Sequence, residues 1–205
     1  MVLPTLEIEQ KLWKKGFKFV CGIDEVGRGC FAGPVVAGAV VFPPNCDLLE
    51  GVADSKLLKP RQREKLAEKI KELALVWAIG EIGVSDINKC GIGKATQMAF
   101  RKAIKNLDKN PDFVLIDAFY IKHLNRKKQN AVKNGDKICA SISAASIIAK
   151  VYRDKLMKNL HKKYPKYGFA RHKGYGTKEH QSALQKYGLT KIHRRSFNLE
   201  KFLTL

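Results

Sequence analysis

The chain is short of acidic residues, of paired cysteines and of long apolar runs, and each shortage excludes something. Nineteen Asp and Glu stand against 39 Lys and Arg, a formal net charge of +20 over 205 residues. A surface of that sign favours a polyanionic partner, nucleic acid before any other. The longest apolar stretch, Cys30 to Pro44, is interrupted by Gly and Pro. It is shorter than the ~20 residues a spanning helix needs, so no membrane span is predicted. Met1 to Phe19 mixes Glu, Lys and single apolar residues without the apolar centre of a secretory signal, which predicts a cytoplasmic protein. Cys21, Cys30, Cys46, Cys90 and Cys139 are odd in number and lack the close pairs of a zinc or redox motif. They read as reduced, buried small hydrophobes.

What remains is ordinary globular chain, 45% hydrophobic and 28% charged, long enough for one full core and short for two. No internal repeat or low-complexity linker divides it, so residues 1–205 are expected to form a single domain. Leu6 to Trp13 suits a short amphipathic helix stopped at Gly16. Phe19 to Val26 and the Val-rich Val35 to Phe42 read as two strands. Pro60 opens a helix with Leu66, Ile70 and Leu73 at helical spacing. Val76 to Ile82 alternates as a strand, and Ser85 to Leu107 is mainly helical. Phe113 to Ile116 is wholly apolar, as in a strand buried on both faces, and it ends in Asp117. Gln129 to Lys133 is a weaker fifth strand, and Ser141 to Lys162 is the longest helix. A hairpin followed by alternating helices and strands predicts a mixed α/β sheet, with residues from about 164 to 205 forming a basic helical portion.

In so basic a chain, clustered acids are the informative feature. Asp24 and Glu25 adjoin the tripeptide Gly27-Arg28-Gly29 at the end of the first strand. Carboxylates repel phosphate, so a polyanion-binding protein that concentrates them at one spot uses them to hold bridging cations. Asp117 ends another strand, and Ser143, Ser146, Lys150 and Asp154 fall along one stripe of the longest helix. Such a stripe is ordinarily a solvated face. The small Ser and Ala residues around it would let the helix lie close to a sheet bearing Asp24 and Asp117. Successive strand residues point to opposite faces, so Asp24 and Glu25 share a site only through a bulge near Gly27 and Gly29 or through a place at the sheet edge. The histidines, His123, His161, His172, His180 and His193, are scattered in sequence and read as surface or packing residues.

These motifs resemble the type 2 ribonucleases H, the bacterial ribonuclease HII group in particular. The resemblance rests on Gly22-Ile23-Asp24-Glu25-Val26-Gly27-Arg28-Gly29, Ala32-Gly33-Pro34-Val35-Val36-Ala37, Asp54-Ser55-Lys56 and Leu115-Ile116-Asp117. Ser146 to Asp154 and His172-Lys173-Gly174-Tyr175-Gly176-Thr177 complete it. It covers nearly the whole chain; Val26 and Cys30 depart from the common Ala and Pro. The start of the chain close to the acidic block favours type II over type III, whose members carry an extra N-terminal domain.

The resemblance implies an RNase H-like fold, a central five-stranded mixed sheet flanked by helices. It implies cleavage of the RNA strand of RNA/DNA hybrids and of single ribonucleotides embedded in DNA, with Mg2+ or Mn2+. Asp24, Glu25, Asp117 and Asp154 then correspond to the metal-binding carboxylates. Gly27, Arg28 and Gly29 correspond to the loop that reads the 2′-hydroxyl, and Tyr175 to the aromatic packing on the following deoxyribose. Lys56, Ser146, Lys150 and Lys173 are expected to touch phosphates. A monomer acting in ribonucleotide removal is expected, and Phe197 to Leu205 either docks a sliding clamp or packs on the core. Two other readings, a non-catalytic RNA-binding module and a DNA-specific nuclease, share the charge. The first leaves the carboxylates unexplained, and the second would cut substrate lacking every 2′-hydroxyl.

Overall fold

The computed structural model describes residues 3–47 and 59–203. Helix α1 (Glu7–Lys14) has Glu7 and Glu9 in its first turn and Lys11 and Lys14 in its last, matching the helix dipole at both ends. It ends at Gly16, whose φ is +94°. Strands β1 (Val20–Val26) and β2 (Val35–Val41) follow, then helix α2 (Pro60–Leu73), strand β3 (Val76–Ile82) and helix α3 (Val84–Lys105). Helix α3 is broken at Gly91, where the backbone leaves the helical region. Strand β4 (Phe113–Asp117), strand β5 (Gln129–Val132), the single turn α4 (Gly135–Ile138) and the long helix α5 (Ala140–Lys163) come next. Two short helices, α6 (Phe169–His172) and α7 (Lys178–Tyr187), lie in the C-terminal portion.

The sheet has the order β3-β2-β1-β4-β5. β1, β2 and β3 pair antiparallel, whereas β4 runs parallel to β1 and β5 parallel to β4. The mixed five-stranded sheet expected from the sequence is present. Cys21, Ile23, Val114 and Ile116 pack with Ala95, Ala99 and Phe100 of α3 on one face. On the other face Val40 and Phe42 meet Leu66 and Ile70 of α2 and Ala144, Ala145 and Ile148 of α5.

Two strand glycines set how closely α5 lies. A Cβ on Gly22 would come within 2.1 Å of the Ser141 carbonyl carbon, and one on Gly38 within 2.3 Å of the Ala145 oxygen. Backbone therefore rests on backbone, and Ser143 and Ser146 are buried against the sheet instead of facing solvent. The remote carboxylate of Glu9 fixes the start of α5, accepting a hydrogen bond from the Ser141 amide at 2.8 Å.

The C-terminal portion has its own apolar cluster of Tyr167, Phe169, Ala183 and Leu184, which also takes in Ala32 and Met157 from the rest of the fold. Phe202 and Leu203 pack against this cluster, and Phe197 packs against the sheet core, so the described tail is spent on packing. All five cysteines are free; Cys21, Cys30 and Cys139 are buried, whereas Cys46 and Cys90 are partly exposed. Among the described residues no helix is long and apolar enough to cross a membrane.

Candidate active site

The parallel ladder of β1 and β4 stops at the pair Ile23 and Ile116, so Asp24, Glu25 and Asp117 emerge together at the carboxyl ends of two adjacent strands. Ligand sites of open α/β sheets characteristically lie at such ends. The ladder of β1 and β2 runs unbroken to Val26 and Val36. No bulge is inserted there, and the first of the two expected routes is therefore not used. Asp24 stays on the α5 face and Glu25 on the opposite one, and both reach the site because the sheet opens beside them.

Asp24 is 6% exposed. Its Oδ1 accepts from the Glu25 amide at 2.7 Å, and Ser146 on α5 hydrogen-bonds its carboxylate. Burial raises its pKa well above the usual carboxylate range, and the charges of Glu25 and Asp117 push the same way. Glu25 is also raised, first by burial and further by Asp117, against the opposing pull of Arg28 at 3.2 Å. Asp117 accepts the Gly135 amide at 2.7 Å.

That last bond brings up an acid the sequence reading passed over. Asp136 follows Gly135, lies in the single turn α4 directly after β5, and is only 5% exposed. The signal was the sequence Asn134-Gly135-Asp136 beyond a strand parallel to β4, visible only once β5 is known to neighbour Asp117. The fourth expected carboxylate stands elsewhere. Asp154 lies two turns beyond Ser146 on α5, about 12 Å along the axis at 1.5 Å per residue. It is held by Lys150 at 2.7 Å and Arg63 at 3.4 Å. Within the stripe Ser143, Ser146, Lys150 and Asp154, Ser146 hydrogen-bonds Asp24, whereas Lys150 and Asp154 pair with each other.

Among the described residues no three His, Cys, Asp or Glu side chains already form a metal cage. The donor set nevertheless fits a hard cation. Its donors are all oxygens, its negative charge is only partly offset by Arg28, and Glu25 and Asp117 are partly exposed beside the buried Asp24.

Beyond β1 the glycine loop turns under a buried arginine. Gly27 has φ +95°, and a Cβ there would lie 2.2 Å from the Arg153 Nε. Gly29 is exposed with nothing near it. Arg153, fully buried, donates to the carbonyl oxygens of Pro34 at 3.0 Å, Lys173 at 2.9 Å and Ala32 at 3.2 Å. Arg194, also fully buried, donates to Gly33 at 2.9 Å and to Arg28 at 2.8 Å. Two arginines with no carboxylate partner among the described residues thus bind this loop to the C-terminal portion through backbone oxygens. Neither residue stood out in the sequence, because cations in a basic chain look like surface.

Tyr175 pairs by a backbone bridge with Cys30, so the tyrosine segment lies against the glycine loop. Its ring is 39% exposed, with Lys150 Nζ and Arg153 Cζ each 5.9 Å from the ring centre. Its phenol, hydrogen-bonded to the Cys30 side chain, has its pKa pushed by burial up to about 12. Lys173 has a left-handed backbone (φ 53°) and turns its ammonium to the carbonyls of Ala170 and Arg171. Burial lowers its pKa, against the attraction of Asp154. Arg28 lies over the exposed Phe119 ring at 4.8 Å. The lining of the adjoining cleft of about 550 Å³ mixes the cations Arg28, Lys94, Arg101 and Lys122 with Phe119 and Met98. Lys56, with Asp54 and Ser55, falls outside the described residues.

The histidines are not scattered in space. His172 and His180 stack at 4.6 Å, and His180 meets His193 at 3.1 Å between Nε2 atoms. His123 and His161 stand apart, the first exposed.

Comparison with known proteins identifies the family. Residues 21–200 match the family model for ribonuclease HII. Curated relatives include the ribonuclease HII of Roseiflexus castenholzii, 48% identical over 198 residues that cover 95% of this chain and 88% of that one. That of Caldicellulosiruptor bescii is 47% identical over 199 residues, covering 97% and 95%. Among solved structures, the ribonuclease H2 of Pyrococcus horikoshii OT3 aligns with a TM-score of 0.72 at 27% identity, covering 90% of this chain and 96% of that one. With a match of this kind across nearly its whole length, and an all-oxygen acid group at the carboxyl ends of β1 and β4, the chain belongs to the ribonuclease HII family of metal-dependent endoribonucleases.

Proposed function

We propose that this protein cuts the RNA strand of RNA/DNA hybrids and nicks duplex DNA on the 5′ side of a single embedded ribonucleotide, leaving 3′-hydroxyl and 5′-phosphate ends. The reading is carried by the buried Asp24 and the partly buried Glu25 and Asp117, set beside the glycine loop and an exposed tyrosine in a chain of net charge +20. Two divalent cations, Mg2+ or Mn2+, supply water activation and leaving-oxygen stabilisation when bound. Asp24, Glu25 and Asp117 hold them, and Ser146 orients Asp24. The fourth carboxylate is Asp136, which adjoins Asp117; Asp154 instead keeps Lys150 and Arg63 aligned toward the backbone of the bound strand.

Gly27, Arg28 and Gly29 read the 2′-hydroxyl through backbone groups, since glycines let a sugar approach where a side chain would block it. Arg153 and Arg194 hold that loop in place before substrate arrives. Tyr175 stacks on the following deoxyribose, and Lys56, Lys150 and Lys173 meet phosphates, which position the duplex without specifying the bond. The protein acts as a monomer in the cytoplasm, one catalytic domain over 1–205, removing ribonucleotides from DNA.

The test is a duplex with one ribonucleotide beside an all-DNA duplex of the same sequence. The first is expected to be nicked and the second left intact, a discrimination of ~10^4 or more because polar groups built around a hydroxyl stay unpaired without it. Equal cleavage of both sinks the proposal.

A further inference from the structure

The three converging histidines have no place in the chemistry above, yet their hydrogen bonds lead to its tyrosine. All six ring nitrogens are engaged. The Thr190 amide donates to His193 Nδ1 at 2.8 Å, and the Gly174 amide donates to His172 Nδ1 at 3.2 Å. A backbone amide can only donate, so both Nδ1 atoms are acceptors and both rings carry their proton on Nε2. His193 Nε2 therefore donates to His180 Nε2 at 3.1 Å. His180 is left with its proton on Nδ1, and it donates that proton to the Tyr175 carbonyl at 3.0 Å. His172 in turn donates from Nε2 to the Tyr167 carbonyl. The three rings form a fully assigned set of neutral imidazoles, with no lone pair left over for a metal.

The relay is enclosed. His180 and His193 are 0% and 1% exposed. Phe169 meets His180 edge-on at 5.4 Å, and Phe31 meets it at 5.7 Å. The Phe31 ring also fills the place a Gly176 side chain would need, 2.2 Å from a Cβ there. The Tyr175 carbonyl thus accepts from His180 Nδ1 and from the Thr177 amide at 2.9 Å, and Phe31 packs against Gly176.

We infer that His180, aligned by His193, is a positioning residue for substrate choice: the directed chain from Thr190 through His193 and His180 fixes the Tyr175 peptide, and with it the ring offered to the sugar after a ribonucleotide. This rests on the reading of Tyr175 given above. It predicts that breaking the chain harms discrimination in favour of a single ribonucleotide more than it harms cleavage of long hybrids, where many registers are acceptable.

The experiment measures kcat/KM on a singly substituted duplex and on a long hybrid, and takes their ratio for wild type, Tyr175→Ala, His180→Phe, His180→Asn and the Tyr175→Ala, His180→Phe double variant. His180→Phe is expected to lower the ratio about tenfold, the scale of a small misplacement near a reacting centre. His180→Asn, whose amide nitrogen stands where Nδ1 stood, restores most of it. The double variant falls no further than Tyr175→Ala alone. A Tyr175→Ala ratio equal to wild type overturns the reading of Tyr175. A lowered Tyr175→Ala ratio beside an unchanged His180→Phe ratio, or additive losses in the double variant, overturns the relay. Should His180→Phe not fold, 15N spectra of wild type at neutral pH decide: one Nδ1-H and two Nε2-H rings support the chain, and three Nε2-H rings refute it.

Discussion

Asp24 sits where a carboxylate is least comfortable, buried on a strand, next to Glu25 and facing Asp117. Removing its charge should help folding and destroy activity. For metal-free protein, Asp24→Asn is expected to unfold at higher urea, by about 1 kcal/mol, since active-site strain of this kind is relieved when function is given up. The amide oxygen still accepts from Ser146. Turnover in Mg2+ should be abolished while hybrid binding largely survives, because a lost metal ligand removes transition-state stabilisation and phosphate contacts do not. A folded Asp24→Asn protein with near-normal turnover would contradict the site. The same assay separates the two candidates for the fourth carboxylate. Asp136→Asn is expected to cost kcat at least 10²-fold, whereas Asp154→Asn, which frees Lys150 and Arg63, should cost about tenfold or less and act mainly on KM. The reverse order would return Asp154 to the metal site.

At the scale of elements, the distance between α5 and the sheet controls whether Ser146 reaches Asp24. Gly22→Ala places a methyl 2.1 Å from the Ser141 carbonyl carbon. Neither partner is a flexible side chain, so the helix must move. The expected result is a loss of about 3 kcal/mol, at the upper end for overpacking, together with a fall in kcat. Gly29→Ala is the control for stability: with open space around it and no positive φ, it should leave the unfolding midpoint within about 0.5 kcal/mol of wild type. Equal stability of Gly22→Ala and wild type would mean that α5 does not rest on backbone as described.

Over the whole molecule, two fields are readable. Net charge of +20 makes counterion release a major part of duplex binding. The slope of log affinity against log salt should be about −0.7 to −0.9 for each phosphate neutralised, and Lys173→Ala should reduce it without moving the cut. A flat salt profile would contradict a phosphate-led interface. The second field is the buried histidine relay. Burial lowers His180 to about 4 and His193 to about 3, from an ordinary 6.5. Below 6.5 the unfolded chain binds protons that the folded chain refuses, so their contribution is complete above 6.5 and is lost as pH falls toward about 4 for His180 and about 3 for His193. The raised carboxylates Asp24 and Glu25 act with the opposite sign. The measurement therefore belongs in Asp24→Asn, where the larger opposing contribution is gone. Urea midpoints that fall from pH 7 to pH 4.5 are expected, and a flat profile would mean the rings are not neutral in the fold.

Local patterns in the sequence determined the order and nearly the bounds of every strand and long helix, because alternation, helical spacing and Gly or Pro stops are properties of neighbouring residues. They also determined the basic field and the acids Asp24, Glu25 and Asp117, since a carboxylate at the end of an apolar run has no apolar reason to be there. Tertiary structure decided the rest. A strand's neighbour is not encoded in the strand, so only the order β3-β2-β1-β4-β5 brought Asp136 beside Asp117 and left Asp154 to Lys150 and Arg63. Asp24 and Glu25 both come within reach of the Asp117 charge without a bulge because β4 ends its pairing with β1 early, which is a fact about two strands and not about either alone. The buried arginines and the histidine chain were illegible for the same reason: their partners are backbone oxygens and amides, present at every residue, and only packing selects which of them a side chain meets.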